Sequence, residues 1–422
     1  MKTVGKATVG LLVIMLSVGL ISCGDSDEGN QTPVSVQPSG PDLSAPVKII
    51  IGNLTDKTGV SANALSKIDI ALKDLVRYSN EEGFIPGVEL EVVEYDGQWD
   101  PSRSKPGYEW LKNKGADLIW TPMPPAVATL KPMVTADKFP LFAATANIPK
   151  EELEGGWAFS LGITPEYECY TLLDWIAQND SDFPSGRPAK IGGASWEDGY
   201  SNIWFESAER YAEAHPDQFT WVRGYLNEFS FIWTEQIEGL KDCDYVFVPT
   251  PMHVFVEDYR NAGYDQAKFI GSDVTGAFLG FIDKAELWDE IDGMLFTRSS
   301  RWYNEESMII DLTNRLLEEN RPDDAESIRR MGSGYISQQQ IYLLLQIIKD
   351  AVEEVGAENV DPQAIYDAAT SFSFTLDDVE DFASFDETKR YAQNYYAIYE
   401  ARDEGENLFR VDPEWLEQVL TP

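Results

Sequence analysis

The sequence predicts an α/β protein with two lobes, each built on a doubly wound parallel sheet. Short β-branched segments alternate with segments of helical spacing from Val47 onward, and the same alternation starts again after Ser160. This β-α-β-α order is typical of parallel sheets flanked by helices. The roughly 400 residues that follow an apolar leader also exceed what a single hydrophobic core usually holds.

The first set of elements contains four strands separated by helices. Its opening strand is a short β-branched run of the buried parallel type, and its first helix carries leucines and isoleucines at helical spacing. The strands are expected at 47–53, 88–95, 117–121 and 140–144, and the helices at 65–82, 108–114 and 126–137.

The second set repeats the pattern and is followed by a helical region. Its helices are expected at 167–179, 200–215, 233–240 and 253–261, and its strands at 190–195, 220–226, 245–249 and 268–271. Further helices are expected at 305–320, 334–355 and 362–371, before a last strand at 394–401.

Residues 1–22 have the features of an export signal. Two lysines precede an uncharged apolar run from Ala7 to Ile21, and small residues lead to Cys23. This order is typical of a cleaved signal peptide, and the run is shorter than the ~20 residues of a membrane-spanning helix. An uncleaved membrane anchor is the alternative, and it would leave the remaining chain on the same side of the membrane. Residues 23–46 are rich in Gly, Ser, Pro and Asp and predict a flexible tether.

The charge of the chain excludes one class of partner. The formal charge is −39, and removal of the two leader lysines takes it to −41. Such a surface repels nucleic acid and anionic lipid headgroups, so no nucleic-acid partner is expected. Cys169 and Cys243 are predicted at opposite ends of a βαβ lobe, and we expect two separate buried thiols rather than a disulfide.

Signals for an enzyme are few. The two histidines, His215 and His253, are far apart in sequence, and no nucleophile, phosphate-binding or metal-ligand motif occurs. We therefore expect no catalytic activity, no cofactor and no metal. A secreted hydrolase that uses a pair of its abundant carboxylates stays open as an alternative.

The residues that follow the predicted strands are polar or aromatic and carry few charges. In parallel α/β sheets, ligands bind beyond the carboxyl ends of the strands. The segments there are 54–56, 96–99, 121–125, 144–146, 196–200, 250–251 and 272–273. Such a set suits a small polar organic molecule held by hydroxyls, one or two carboxylates and aromatic rings.

Several of these segments resemble a known family. LTDKTG at 54–59, YDGQWDPSRS at 95–104 and KFPLFAATAN at 138–147 are similar to the start of type I periplasmic binding proteins, and WEDGYSN and FIGSD follow in family order. Within that family the resemblance is to the leucine/isoleucine/valine-binding and related amino-acid or amide-binding proteins of ABC importers, and the Cys23 segment resembles the lipobox of bacterial lipoproteins. The resemblance implies a Venus-flytrap fold in which two lobes joined by three crossings close over a ligand.

The resemblance also implies which residues line the ligand site. The expected ligand-binding residues are Thr121, Pro124, Ala144 and Thr145 from the first lobe and Trp196, Tyr200, Thr250 and Asp273 from the second. Asp273 would pair with an amine or amide of the ligand, although a structural role at a helix N-terminus is the alternative. Trp99 and Trp302 are further candidates for stacking on the ligand, with ordinary packing as the alternative for any tryptophan.

One departure from the family pattern concerns the ligand carboxylate. Pro124 and Pro125 stand where the family usually offers hydroxyls and free backbone N–H groups, and proline donates no hydrogen bond. We therefore expect weak capture of a carboxylate.

The combined prediction is an extracytoplasmic substrate-binding lipoprotein of an ABC importer. It would bind a small polar amine- or amide-bearing solute similar to a branched-chain amino acid, contact an ABC permease, and be lipid-anchored to the membrane through Cys23 in the periplasm or at the cell surface. A sensor module of the same fold is the alternative. The first lobe is expected to contain 47–162 and 300–375, the second 163–299 and 376–422, with crossings near 160–164, 296–302 and 374–386.

Overall fold

Five parallel strands form the first sheet. The computed structural model describes residues 45–147, 149 and 154–422, and these lie in one unit, Ala45–Pro422. The strands are β1 (Val47–Thr55), β2 (Val88–Asp96), β3 (Leu118–Thr121), β4 (Leu141–Ala143) and β5 (Ala158–Ser160), in the spatial order β2-β1-β3-β4-β5. Helices α1 (Ala62–Glu82), α2 (Ser104–Asn113) and α3 (Pro124–Asp137) connect them. The three-residue strand β5 was too short to be predicted from its sequence.

The second sheet is mixed, with a parallel centre and an antiparallel edge. Its strands are β6 (Ala189–Trp196), β7 (Phe219–Asn227), β8 (Tyr245–Phe247), β9 (Lys268–Ser272), β10 (Leu295–Arg298), β13 (Tyr395–Arg402) and β14 (Asn407–Arg410). The spatial order is β14-β13-β10-β9-β8-β6-β7, and β15 (Leu416–Glu417) pairs with β13. Strand β13 runs antiparallel to β10 and to β14. The helices of this lobe are α4 (Pro165–Asn179), α5 (Gly199–Ala214), α6 (Thr234–Leu240), α7 (His253–Asn261), α8 (Asp273–Gly276) and α9 (Leu279–Ala285).

The chain crosses between the sheets three times. It leaves the first sheet after β5 and enters α4, and it leaves the second sheet after β10 to form α10 (Met308–Asn320), α11 (Ala325–Arg330), α12 (Gln338–Val355) and α13 (Pro362–Thr370). A hairpin of β11 (Ser373–Leu376) and β12 (Val379–Ser384) follows, and the chain then returns to the second sheet at β13. The predicted fold class, two mainly parallel-sheet lobes of an α/β protein, is confirmed.

The hydrophobic cores show which segments belong together. One core combines the first sheet and its helices with residues of α10 to α13, and it also contains Leu376, Phe382, Phe385 and Ala392. The remaining core residues surround the second sheet in two clusters, one on each side of it. The expected boundary at 376 therefore differs from the structure, because the hairpin packs its aromatic residues in the first core and the last crossing follows Ala392.

Two further sequence predictions concern thiols and membrane segments. Cys169 and Cys243 are both buried and free, as expected. In the described part of the chain, none of the helices has the length and apolar character needed to span a membrane. The predicted leader 1–22, the lipidation candidate Cys23 and nearly all of the predicted tether lie outside the described residues.

Candidate functional site: the cleft between the lobes

A cleft lies between the carboxyl ends of the two sheets and has two connected compartments. The inner compartment, about 120 Å³, is lined by Ser61, Ala64, Leu65, Ile68, Trp99, Pro122, Pro124, Ala144, Thr145, Ile163, Asp273, Val274, Ala277, Phe278, Ser299, Ser300, Ser333, Gly334, Ser337 and Gln340. The outer compartment, about 80 Å³, is lined by Val60, Ser61, Trp99, Pro124, Pro125, Asn147, Trp196, Asp198, Tyr200, Ser201, Phe229, Phe247, Thr250, Pro251, Val274 and Phe278. The inner compartment is rich in serine and the outer one in aromatic rings.

Two carboxylates fix the first-lobe loops that reach the cleft. Asp56, directly after β1, accepts hydrogen bonds from the backbone N–H groups of Thr58 (3.2 Å) and Ser61 (3.0 Å). Asp96, at the end of β2, accepts from the Thr58 hydroxyl at 2.7 Å and from the Lys57 N–H at 2.9 Å. The loop that carries Ser61 is therefore tied to the loop that carries Trp99.

The start of α3 has few backbone donors to offer a ligand. Pro124 and Pro125 occupy its first two positions, and the next amide, that of Ala126, donates to the Met123 carbonyl at 3.0 Å. The Met123 N–H in turn donates to the Thr121 hydroxyl at 3.1 Å. Because helix N-termini hold anions through free N–H groups, this helix start is a poor carboxylate site.

Asp273 is already paired within the protein. It is the first residue of α8, Ser272 caps that helix, and the Asp273 side chain is 15% exposed. Its Oδ1 lies 2.7 Å from Nη1 of the fully buried Arg298, and its Oδ2 accepts hydrogen bonds from the N–H (2.9 Å) and hydroxyl (2.8 Å) of Ser299. The charge of this carboxylate is therefore balanced within the protein by Arg298, and a cationic group of a ligand is not required to balance it.

A second buried acid lies behind Asp273. Glu168 of α4 accepts a hydrogen bond from the Tyr200 hydroxyl and, at 3.4 Å, from the Asp273 N–H. Burial raises the pKa of Glu168 well above its usual value, and the nearby Asp273 charge raises it further. Burial likewise raises the pKa of Tyr200, with the Glu168 charge adding to the effect. Arg298 therefore faces two acids, of which Asp273 is its direct partner.

The polar groups of the cleft are mostly hydrogen-bond acceptors and hydroxyls. Neither compartment is lined by Lys, Arg or His. The carboxylates of the lining are Asp273 in the inner compartment and Asp198 in the outer one. Burial raises the pKa of Asp198, which caps α5 by accepting from the Ser201 N–H at 2.9 Å. Asn147 Oδ1 is buried and has no hydrogen-bond partner among the described residues. A ligand that donates hydrogen bonds and carries no negative charge fits this lining.

The two lobes touch each other around the cleft. The Ser333 N–H donates to the Gly276 carbonyl at 3.1 Å, and the Ser333 hydroxyl donates to the Asp273 carbonyl at 3.1 Å. A Cβ on Gly332, whose φ is +111°, would lie 2.1 Å from the Gly276 oxygen. The backbones of the two lobes are therefore in direct contact, as expected for a closed arrangement.

The structure brings together seven of the eight residues expected at the ligand site. These are Pro124, Ala144, Thr145, Trp196, Tyr200, Thr250 and Asp273. Thr121 is fully buried, and its hydroxyl donates to the Leu54 carbonyl at 2.7 Å. It therefore stabilises the loop that follows β3 and does not line the cleft. Trp99 lines both compartments, whereas Trp302 packs in the second lobe, where its indole N–H donates to Asn407.

Sequence reasoning missed several lining residues of both lobes. Ser299 and Ser300 follow β10, so the rule of strand ends would have found them once that strand was assigned. Ser333 and Ser337 lie between α11 and α12, where no strand precedes them and no sequence signal points to the cleft. Phe229 comes from the loop after β7, the strand at the edge of the second sheet.

Comparisons with known proteins agree with this architecture. Residues 48–192 match the family model described as periplasmic binding protein. No curated protein matches the sequence. The resemblance to type I periplasmic binding proteins is therefore confirmed, in sequence over 48–192 and in fold over most of the chain.

Solved structures of similar fold have varied ligands. A branched-chain amino acid ABC transporter protein from Thermus thermophilus with bound valine has a TM-score of 0.75 and 17% identity, covering 89% of this chain and 98% of its own. A fatty acid ABC transporter substrate-binding protein from Thermomonospora curvata has a TM-score of 0.73 and 16% identity, covering 88% and 93%. A solute-binding protein from R. palustris in complex with 4-hydroxybenzoate has a TM-score of 0.70 and 15% identity, covering 88% and 97%. At these identities the likeness shows the fold and leaves the solute open.

Proposed function

We propose that this chain is the substrate-binding protein of an ABC importer and that it binds one small solute in the cleft between its lobes. The observation that carries the proposal is the cleft itself, a cavity at the carboxyl ends of two sheets with mixed apolar and hydroxyl walls. The similar structures named above include ABC-transporter proteins with a small molecule bound. A solute bound to both lobes would favour the closed arrangement and present a joint surface to a permease.

The head group of the solute is proposed to be an amide or an amine. Asp273, Asn147 and six serines offer acceptors and hydroxyls, while the prolines at the start of α3 remove the donors that a carboxylate needs. Because Arg298 already neutralises Asp273, a neutral amide fits better than an ammonium group. Ordinary α-amino acids are accordingly expected to bind more weakly than their amides.

The proposed location is outside the cytoplasm, with Cys23 lipidated after removal of residues 1–22. A lipid anchor would hold the binding unit near its permease in the membrane. Expression of the full chain with a radiolabelled fatty acid tests this part. Label is expected in the wild type and not in Cys23→Ser, whereas equal labelling of both would contradict the proposed anchor.

A thermal-shift screen tests the binding function. The unit Ala45–Pro422 would be screened against amino acids, their amides, urea, polyamines, betaines and sugars, since a ligand that binds the native state raises Tm. Ala144→Phe fills the inner compartment, and Ala214→Phe makes the same change at an exposed position of α5. An amide or amine shift that Ala144→Phe abolishes and Ala214→Phe retains supports the proposal. A shift only with sugars, or one indifferent to Ala144→Phe, contradicts it.

A further inference from the structure

The outer compartment has more aromatic surface than a small polar head group requires. The ring of Trp196 lies 5.0 Å from that of Phe229 and 5.2 Å from that of Phe231, and its indole N–H holds the same loop by donating to the Ser230 carbonyl at 3.1 Å. Trp99 lines the compartment from the first lobe. Rings from both lobes therefore line the outer compartment.

The outer compartment adjoins the inner one and shares lining residues with it. Both are lined by Trp99, Pro124 and Phe278, so one molecule can occupy both. The outer compartment of about 80 Å³ is several times the ~10–15 Å³ that one water molecule needs.

The backbone at two of these aromatic residues is unusual. Trp99 has φ +52° and Phe229 has φ +44°, both in the left-handed region that bulky residues seldom adopt. Such conformations persist only where the surrounding structure holds them, and they cluster at ligand clamps. The two residues come from different lobes and both line the outer compartment, so the strain occurs where a ring would be held.

The same cleft is unfavourable for aromatic carboxylates. Neither compartment has a Lys, Arg or His in its lining, and the prolines of α3 leave no free N–H at its first two positions. An aromatic acid would have to bury its charge without a cation, which is costly. An aromatic amide of the same shape avoids this cost and can donate to the acceptors of the inner compartment.

We infer that the solute is an aryl amide, with its amide in the inner compartment and its ring against the side chains of Trp99, Trp196 and Phe229 in the outer one. The inference rests on the proposed function and specifies the class of solute for the same cleft. Offset or edge-to-face contacts with the surrounding rings would fix the plane of the bound ring.

Four ligands distinguish the contribution of the head group to affinity from that of the phenyl ring. Isothermal titration of the unit Ala45–Pro422 would compare 3-phenylpropionamide with propionamide, 3-phenylpropionate and 3-phenylpropylamine. Burial of the phenyl ring is expected to make 3-phenylpropionamide bind at least ~30-fold more tightly than propionamide. The carboxylate is expected to bind at least ~10-fold more weakly than the amide of the same shape.

Two single variants test where the phenyl ring of the ligand binds. Phe229→Ala removes one wall at a residue that is 48% exposed, so folding should be retained. Its affinity for 3-phenylpropionamide is expected to fall ~10-fold while that for propionamide changes less than ~2-fold. Trp110→Ala, at a 38% exposed position of α2 outside both lining sets, is the control and should leave both affinities unchanged.

The outcomes distinguish the inference from the function on which it rests. If propionamide and 3-phenylpropionamide bind equally, or if Phe229→Ala weakens both equally, the inference is overturned and the binding function stands. If 3-phenylpropionate binds as tightly as the amide, the choice of head group is overturned. If none of a broad panel of amides and amines binds, the proposed function fails together with the inference.

Discussion

Removal of the Asp273 carboxylate should destabilise the protein, because it leaves the buried Arg298 without its partner. The two side chains are 2.7 Å apart, and Arg298 is fully buried. Breaking a buried ion pair by removing one partner typically costs about 3–5 kcal/mol. The nearby Glu168, which lies within hydrogen-bonding distance of the Asp273 N–H, can take up part of the Arg298 charge and should keep the loss near the lower end.

The expected change in Tm follows from the size of the folded unit. At about 2.1 cal/mol/K per residue, the unfolding entropy of the unit Ala45–Pro422 is about 0.8 kcal/mol/K. A loss of about 3–5 kcal/mol therefore lowers Tm by about 4–6 °C. Differential scanning calorimetry of Asp273→Ala measures this, with Asp217→Ala, an exposed site, as the control expected to change Tm by less than ~1 °C.

A double variant decides whether the ion pair is the cause. Arg298→Met removes the buried charge, so Asp273→Ala combined with Arg298→Met should melt above Asp273→Ala alone. A Tm for Asp273→Ala within about 1 °C of the wild type would refute the argument. Purely additive losses in the double variant would refute it too.

Three further predictions concern acid–base behaviour, donor chemistry and lobe contact. Burial raises the pKa of Glu168 in the folded state. The contribution of Glu168 to stability is therefore largest below its unfolded-state pKa near 4.5 and is lost as the pH rises through its folded-state pKa. Glu168→Gln should accordingly have a higher Tm than the wild type at pH 7 and not at pH 4.5. Equal differences at both pH values would contradict this. Pro124→Ser with Pro125→Ala restores two N–H groups and should strengthen binding of carboxylates ~10-fold in titrations, with amide binding little changed. Gly332→Ala forces a Cβ to within 2.1 Å of the Gly276 oxygen and should open the contact between the lobes. Solute binding should then weaken at least ~10-fold, and the radius of gyration measured by solution scattering should increase. Unchanged affinity and radius would show that this contact does not hold the closed form.

Much of the fold was predictable because its signals are local. The alternation of β-branched strands with helices of regular spacing predicted the first sheet and the parallel centre of the second, and strands such as β1 and helices such as α1 lie close to their expected bounds. The hairpin at 373–384 was not predicted, because this segment was expected to be a crossing between the lobes. Only tertiary packing places its aromatic side chains in the first core.

The site was predictable only where it follows strands. Pro124, Ala144 and Asp273 lie in segments that follow predicted strands, where the carboxyl ends of parallel strands converge, and the family resemblance singled them out within those segments. The partner of Asp273 was not found, because Arg298 ends β10 whereas Asp273 begins α8, and no sequence pattern connects the two residues. The charge balance of the cleft, and with it the preference for a neutral head group, therefore required the structure.

The most direct test of the central claim is one calorimetric titration series with 3-phenylpropionamide and 3-phenylpropionate on the unit Ala45–Pro422. Binding of the amide to one site, at least ~10-fold more tightly than the carboxylate, is the result that a cleft of acceptors without a lining cation predicts. Tighter binding of the carboxylate would contradict the account of the cleft, whatever the fold of the lobes around it.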